Sequence, residues 1–169
     1  MSMKKLFLML IAVLVGTNGL FAQDANKETD LALYQQAVKA IKDKKFVLRA
    51  NQFIDGDDGK LFSVSPAVNY VVVEGDKAFM KYNPEFGLGN SKEGDVSNFK
   101  IKEDKRGNIE LRMRIKNGVA SAKLKFYLEK GSNRCSFACY PVRYHKKFKL
   151  IGVLTPFVAS DLKLKGACY

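Results

Sequence analysis

Residues 109–126 decide the fold, and they read Ile-Glu-Leu-Arg-Met-Arg-Ile-Lys-Asn-Gly-Val-Ala-Ser-Ala-Lys-Leu-Lys-Phe. Apolar and polar residues alternate on both sides of Asn117-Gly118, the pair that a two-residue type I′ turn prefers. A hairpin centred on that turn predicts apolar partners along one face: Ile115 with Ala120, Met113 with Ala122, Leu111 with Leu124, and Ile109 with Phe126. A slip of one residue would move every charge to the buried face. The stretch therefore predicts a β-hairpin with one buried side.

The other face of this hairpin carries positive charge. The same register places Arg112 opposite Lys123, a like-charge pair that is mildly destabilising unless an anion lies across it. This face is a candidate site for phosphate, sulfate or carboxylate groups. The alternative interpretation is a solvated surface that keeps the sheet soluble. The candidate anion-binding residues are Arg112, Arg114, Lys116, Lys123 and Lys125.

Short alternating segments continue on both sides of the hairpin, separated by Gly, Asn and Asp turns. Gly75-Asp76 is a second turn signal, which places Val73 opposite Ala78 and Val71 opposite Met80. Besides the 109–126 hairpin, strands are predicted at 46–53, 69–74, 77–82, 96–103, 134–140 and 148–155, and the second hairpin strand extends to 129. About eight antiparallel strands at this spacing predict a mainly β fold, either a small barrel or a sandwich.

One helix is predicted before the strands. Leu31, Tyr34, Val38 and Ile41 recur at spacings typical of one stripe of an amphipathic helix, which we place at 28–44. The sequence shows no internal repeat and no domain boundary beyond this point. Residues 23–169 are therefore expected to form a single β-rich domain with an N-terminal helix.

Residues 1–22 have the pattern of a secretory signal peptide. Lys4 and Lys5 precede the apolar run 6–15, and the small residue Ala22 stands before the expected cut. A membrane span needs about 20 apolar residues, more than this run provides. The first cysteine is Cys135, so no cysteine at the cut could be lipidated. We expect cleavage after Ala22 and a periplasmic or secreted protein, neither membrane-spanning nor lipid-anchored.

The chain is strongly basic, with 29 Lys and Arg residues against 17 Asp and Glu and a formal net charge of +12. Only Lys4 and Lys5 of these cations belong to the leader. Such an excess bears on partners and solubility rather than on fold. For an exported protein, the expected partner is an anionic envelope glycan or lipid, and nucleic acid is not expected.

The sequence offers little for catalysis or for a cofactor. His145 is the only histidine, and no nucleophile motif accompanies it. Cys135 and Cys139 would lie ~13 Å apart along one strand, too far to pair with each other. We expect them to be small buried apolar residues, and a disulfide of Cys168 with Cys135 or Cys139 is the alternative. Residues 55–59 contain three aspartates but lack the rest of a calcium loop, so no metal site is expected.

An ordered series of short segments resembles the family called domain of unknown function 4251. The segments are Phe46–Gln52, Phe62–Pro66, Asn69–Ala78, Gly94–Phe99, Lys105–Ile109, Leu128–Asn133, Gly152–Pro156 and Leu164–Gly166. The resemblance covers about Tyr34 to Gly166. It implies an exported protein of Gram-negative gut-type bacteria with one N-terminal helix and a β-rich body. It implies no activity and no catalytic residues, because the family is defined without a function.

Together these observations favour a non-enzymatic exported binding module. Two ligands stay open, an anionic envelope polymer on the basic face and an apolar small molecule inside the β body. A structural or protein-interaction component of the envelope is the alternative, and an enzyme is least expected. The side chains expected near the interior are Phe79, Met80, Tyr82, Phe99, Phe126 and Phe137.

Overall fold

A computed structural model of the protein describes residues 27–82, 91–118, 120–142 and 147–157. Within this part, one helix, α1, occupies residues 27–42, against the predicted 28–44. Nine strands follow it: β1 (Lys45–Asp55), β2 (Leu61–Ser63), β3 (Tyr70–Glu74), β4 (Lys77–Lys81), β5 (Ser91–Glu103), β6 (Ile109–Asn117), β7 (Ala120–Leu128), β8 (Arg134–Pro141) and β9 (Phe148–Pro156).

Eight of the strands close into an antiparallel barrel. Strands β3 to β9 pair in chain order, and β1 joins both ends of this series by pairing with β3 and with β9. The short strand β2 pairs with residues 52–54 of β1, along the same edge on which β3 pairs with residues 45–49. The predicted choice between barrel and sandwich is thus resolved as a barrel. Strand β2 was not predicted, because its three residues are all exposed and show no alternation.

The barrel interior is a packed aromatic core. Leu111, Met113, Leu124 and Phe126 of the β6–β7 hairpin point inward and are buried, as their alternation predicts. The Phe126 ring lies 5.4 Å from that of Phe46 and 4.8 Å from that of Phe137, measured between centroids. An eight-stranded barrel has an interior that side chains can fill. These rings occupy part of it.

Helix α1 packs against one end of the barrel. Its residues Ala37, Ala40 and Ile41 are buried in the same cluster as the inward strand residues. The Tyr34 hydroxyl donates a hydrogen bond of 2.5 Å to the carbonyl oxygen of Gly107, which lies in the β5–β6 turn. These contacts place the helix at the end where the β5–β6 turn lies, so the barrel wall further along the strands stays clear of it.

The predicted register of the β6–β7 hairpin is wrong by two residues. Asn117 pairs with Ala120, and Gly118 takes the left-handed φ of +51°. Met113 therefore faces Leu124 and not Ala122. Because side chains alternate with a period of two, this shift leaves every inward residue inward. The Gly75-Asp76 hairpin has its predicted register, with Val73 opposite Ala78 and Val71 opposite Met80.

Phe79 lies outside the barrel, which corrects its expected place near the interior. Ala78 and Met80 point inward, so the residue between them points outward, where its ring lies 6.0 Å from that of Tyr70. It belongs to a second buried cluster on the outer wall with Val47, Tyr70 and Val72, against which Phe157 packs. Phe99 is half-buried against the core, whereas the other four expected residues are interior: Met80, Tyr82, Phe126 and Phe137.

Candidate anion-binding site

The outer wall of strands β5 to β8 carries a groove of about 470 Å³. Its walls are mainly cationic side chains that stand on the face opposite the aromatic core. Asn98 borders it on β5, and Tyr140 borders it on β8. We call this feature the basic groove and define it by Asn98, Lys100, Arg112, Arg114, Lys123, Lys125 and Tyr140.

The strand register arranges these cations in two rows across the sheet. In the first row, Lys100 faces Arg112, and Arg112 faces Lys125. In the second row, Arg114 faces Lys123, and Lys123 faces Tyr140. Neighbouring strands lie ~4.8 Å apart, and residues two apart on a strand are separated by roughly 6.6 Å. Five positive side chains therefore share a small area of sheet.

A β-bulge in β5 shapes one side of the basic groove. The pairing of β5 with β6 shifts between Ser97 and Lys100, so Asn98 and Phe99 together oppose the single residue Met113. Asn98 has a φ of +53°, a left-handed conformation that asparagine adopts more readily than most residues. A bulge redirects side chains at the position where it occurs. Here Phe99 packs toward the core, while Asn98 and Lys100 are exposed.

One carboxylate partly neutralises the first row. Glu110 Oε2 lies 2.8 Å from Lys125 Nζ, and the Arg112 Nε–H donates to Glu110 Oε1. The bond from Lys125, together with the one from Arg112, holds the pKa of the Glu110 carboxyl below its ordinary value. Among the described residues, no carboxylate forms an ion pair with Lys100, Arg114 or Lys123.

The structure brings together four of the five residues predicted for an anion site. Arg112, Arg114, Lys123 and Lys125 line the groove, whereas Lys116 lies on the same face in register with Asp95 and beyond the lining. The predicted pair of Arg112 with Lys123 is wrong, because the two-residue register shift pairs Arg112 with Lys125 and Arg114 with Lys123. Sequence reasoning missed Asn98, Lys100 and Tyr140, which come from flanking strands.

Cys135 and Cys139 of β8 are both buried in the barrel core, where they pack as small apolar residues, and Cys135 is a free thiol. Burial raises the pKa of the Cys135 thiol to about 12. Cys168 and His145 lie outside the described residues, so the disulfide of Cys168 stays a prediction.

The described residues meet the requirements of neither a metal site nor a membrane-spanning helix. In the described ranges, no group of three or more His, Cys, Asp or Glu side chains is placed to hold a metal ion. Residues 56–58 form a turn in which the Asp57 amide donates to Asp55 Oδ1 at 2.8 Å. No helix in the part of the chain that the structure describes has the length and apolar character to cross a membrane.

The fold defines a class of protein, a closed eight-stranded antiparallel barrel with one helix packed at an end and a basic outer groove. The family model of DUF4251, a domain of unknown function, matches residues 28–154. The chain belongs to this family. It is similar to the crystal structure of a DUF4251 family protein from Bacteroides eggerthii DSM 20697, at 30% sequence identity and a TM-score of 0.71. That match covers 79% of this chain and 94% of the other. No curated protein matches the sequence.

Proposed function

We propose that this protein is an exported, non-enzymatic binding module that holds an anionic glycan of the cell envelope in its basic groove. The observation that carries the proposal is the direct opposition of Arg114 and Lys123, with Lys100 on the neighbouring row. Like charges placed opposite each other in a sheet destabilise it. A bound anion would remove this repulsion, and no described carboxylate does so from within the chain.

The border of the groove favours a sugar over a simple phosphate ion. Tyr140 is 37% exposed and directly faces Lys123. A tyrosine combines an apolar ring with a polar hydroxyl, and a pyranose ring likewise has an apolar C–H face and polar edges. An aromatic ring beside several cations therefore suits a sugar unit that carries carboxylate, sulfate or phosphate groups.

The barrel interior supports the choice of the outer wall. The Phe148 ring stacks on that of Phe53 and meets that of Tyr82 at a tilt, with centroid distances of 5.8 and 5.2 Å. Phe148 also lies 6.1 Å from Phe137, which contacts Phe126, so large aromatic side chains occupy this part of the barrel interior. The export part of the proposal is supported by the signal-peptide pattern of residues 1–22.

Retention on a heparin column tests the proposal, with heparin as a soluble acidic polysaccharide. The double variant Arg114→Glu/Lys123→Glu should elute at a much lower salt concentration than the wild type. The matched control Lys42→Glu/Lys105→Glu changes the net charge equally, at two exposed lysines outside the groove. It should elute close to the wild type. Circular dichroism establishes that each variant is folded.

Equal loss of retention in both double variants would mean that net charge alone governs binding, and would overturn the proposal. Vesicles of phosphatidylglycerol provide the second arm. Groove-dependent binding to these vesicles without retention on heparin would assign the groove to a lipid headgroup and would overturn the glycan assignment.

A further inference from the structure

A second groove of about 220 Å³ lies next to the basic groove, on the outer wall of β8, β9 and the end of β1. Tyr140 lines both grooves, so they meet at this side chain. The second groove contains two more cations, Lys147 and Lys149, both of them exposed. The positive surface therefore extends beyond the hairpin that carries most of it.

The strand register joins the two grooves in one line. Arg112 faces Lys125, Lys125 faces Ala138, and Ala138 faces Lys149 on the next strand. Ala138 is the small residue of this row, so its side chain leaves a low point between the two lysines that flank it. From Lys100 on β5 to Lys149 on β9 there are four strand spacings, which amount to about 19 Å.

We propose that both grooves form a single track for a linear acidic polysaccharide, which crosses the strands over Ala138 and beside Tyr140. Lys147 and Lys149 are then the distal contacts of the chain, and Lys100 and Arg112 are its proximal contacts. This inference rests on the proposed function and specifies its ligand. The ligand is an extended chain with repeated negative groups, and not a compact anion that the Arg114–Lys123 pair alone could hold.

The far end of the track is defined by an acidic turn. Asp55 lines the second groove, and its carboxylate repels an anionic chain that continues past Lys149. The turn lies close to the start of β9. A Cβ built on Gly56 would lie only 2.0 Å from the Lys147 carbonyl oxygen. This close approach of two backbone segments leaves room only for glycine. The track therefore ends at this acidic turn.

Size-defined heparin oligosaccharides, from the disaccharide upward, test the track by titration calorimetry with the full-length protein. The affinity of the wild type should rise with oligosaccharide length and level off once the chain spans the track. Lys147→Gln/Lys149→Gln should weaken the long chains several-fold and leave the disaccharide unchanged. Lys42→Gln/Lys105→Gln is the matched control and should behave as the wild type at every length.

A second variant keeps the test independent of the two lysines. Ala138→Glu places a carboxylate at the low point of the track and should remove the gain in affinity with length. Wild-type affinity that is equal for short and long chains would overturn the track and leave the proposed function standing. The track is likewise overturned if the Lys147/Lys149 variant weakens all lengths equally or none. Absence of binding at every length would overturn both.

Discussion

Arg114 and Lys123 face each other directly across β6 and β7, and among the described residues neither forms an ion pair with a carboxylate. In the neighbouring row, Arg112 and Lys125 are also opposed, but Glu110 bonds to both of them. The two rows therefore have the same geometry and different electrostatics. Variants of the two rows can therefore distinguish the Arg114–Lys123 pair, which we assign to binding, from the Arg112–Lys125 pair, which Glu110 neutralises.

Removing one charge of the unneutralised pair should stabilise the protein without ligand. We expect Lys123→Gln to raise the free energy of unfolding by about 0.2–1 kcal/mol at low salt, because it relieves a direct like-charge contact. Lys125→Gln is the matched control and should give no gain, since Lys125 loses its bond to Glu110. Urea unfolding measures both variants. The gain should fade at high salt, which screens exposed charges, and a Lys123→Gln variant less stable than the wild type at low salt contradicts the expectation.

Glu110→Gln should strengthen heparin binding, because it frees Arg112 and Lys125 from their internal carboxylate. The measured quantity is the salt concentration at elution, which should be higher for Glu110→Gln than for the wild type. The control is Asp43→Asn, which removes an exposed acid directly after α1 and should have a smaller effect. Unchanged elution of Glu110→Gln would show that these two cations do not contact the polysaccharide.

The same carboxylate gives an expected pH dependence of stability. Its pKa is lowered in the folded protein, so as the pH falls below the ordinary value of 4.5 the unfolded state takes up the proton first. The contribution of Glu110 to stability is therefore present above that pH and is lost as the pH falls through the folded pKa. Urea unfolding at a series of acidic pH values should show a shallower loss for Glu110→Gln. Parallel curves for the two proteins would contradict this.

The Cys135 thiol should be unreactive in the folded protein. Its side chain is wholly buried and its pKa is raised to about 12, so at pH 8 almost no thiolate is present and iodoacetamide has no access. Digestion and mass spectrometry should find Cys135 unlabelled in the native protein and labelled in urea. Because the folded pKa exceeds the ordinary 9.0, stability should fall as the pH rises above 9.0, and less so in Cys135→Ala. Rapid native labelling would disprove the buried position.

Gly152→Ala should destabilise the seam at which the barrel closes. Gly152 on β9 pairs with Ala50 on β1, and a Cβ at this position would lie 1.9 Å from the Arg49 carbonyl oxygen. Overpacking typically costs about 1–3 kcal/mol, and a clash with backbone puts this variant at the upper end. Gly131→Asn is the control, since Gly131 has a φ of +80° and open space around it. Thermal unfolding should separate the two, and equal melting temperatures would contradict the tight seam.

The sequence predicted which face of the sheet each side chain lies on, but it did not predict which residues pair across β6 and β7. Alternation alone separates Leu111 from Arg112, because the period of a strand is fixed by its geometry. The partners depend on the turn, and Asn117-Gly118 is a strong turn signal that the chain uses one residue later than its preferred position. The resulting shift of two residues leaves each face intact. This is why the basic face was predicted correctly while its pairs were not.

The rest of the site depends on features that leave little trace in one sequence. Lys100 reaches the groove because β5 has a bulge at Asn98, and the break in alternation between Val96 and Phe99 is a weak signal for it. Tyr140 and Lys149 join the surface through the β7–β8 and β8–β9 registers, which long-range pairing sets. Phe79 was misplaced for a related reason. Its ring points outward and is buried there by Val47, Tyr70 and Val72, and local alternation does not predict that an outward ring is buried.

The pairing of β1 with β9 has a consequence for how the protein is made. The first strand to leave the ribosome finds its final partner only when the last one has emerged, so the barrel cannot close during synthesis. Contacts between such distant parts of a chain form slowly. The polypeptide therefore stays an open chain until its last strand has been synthesised.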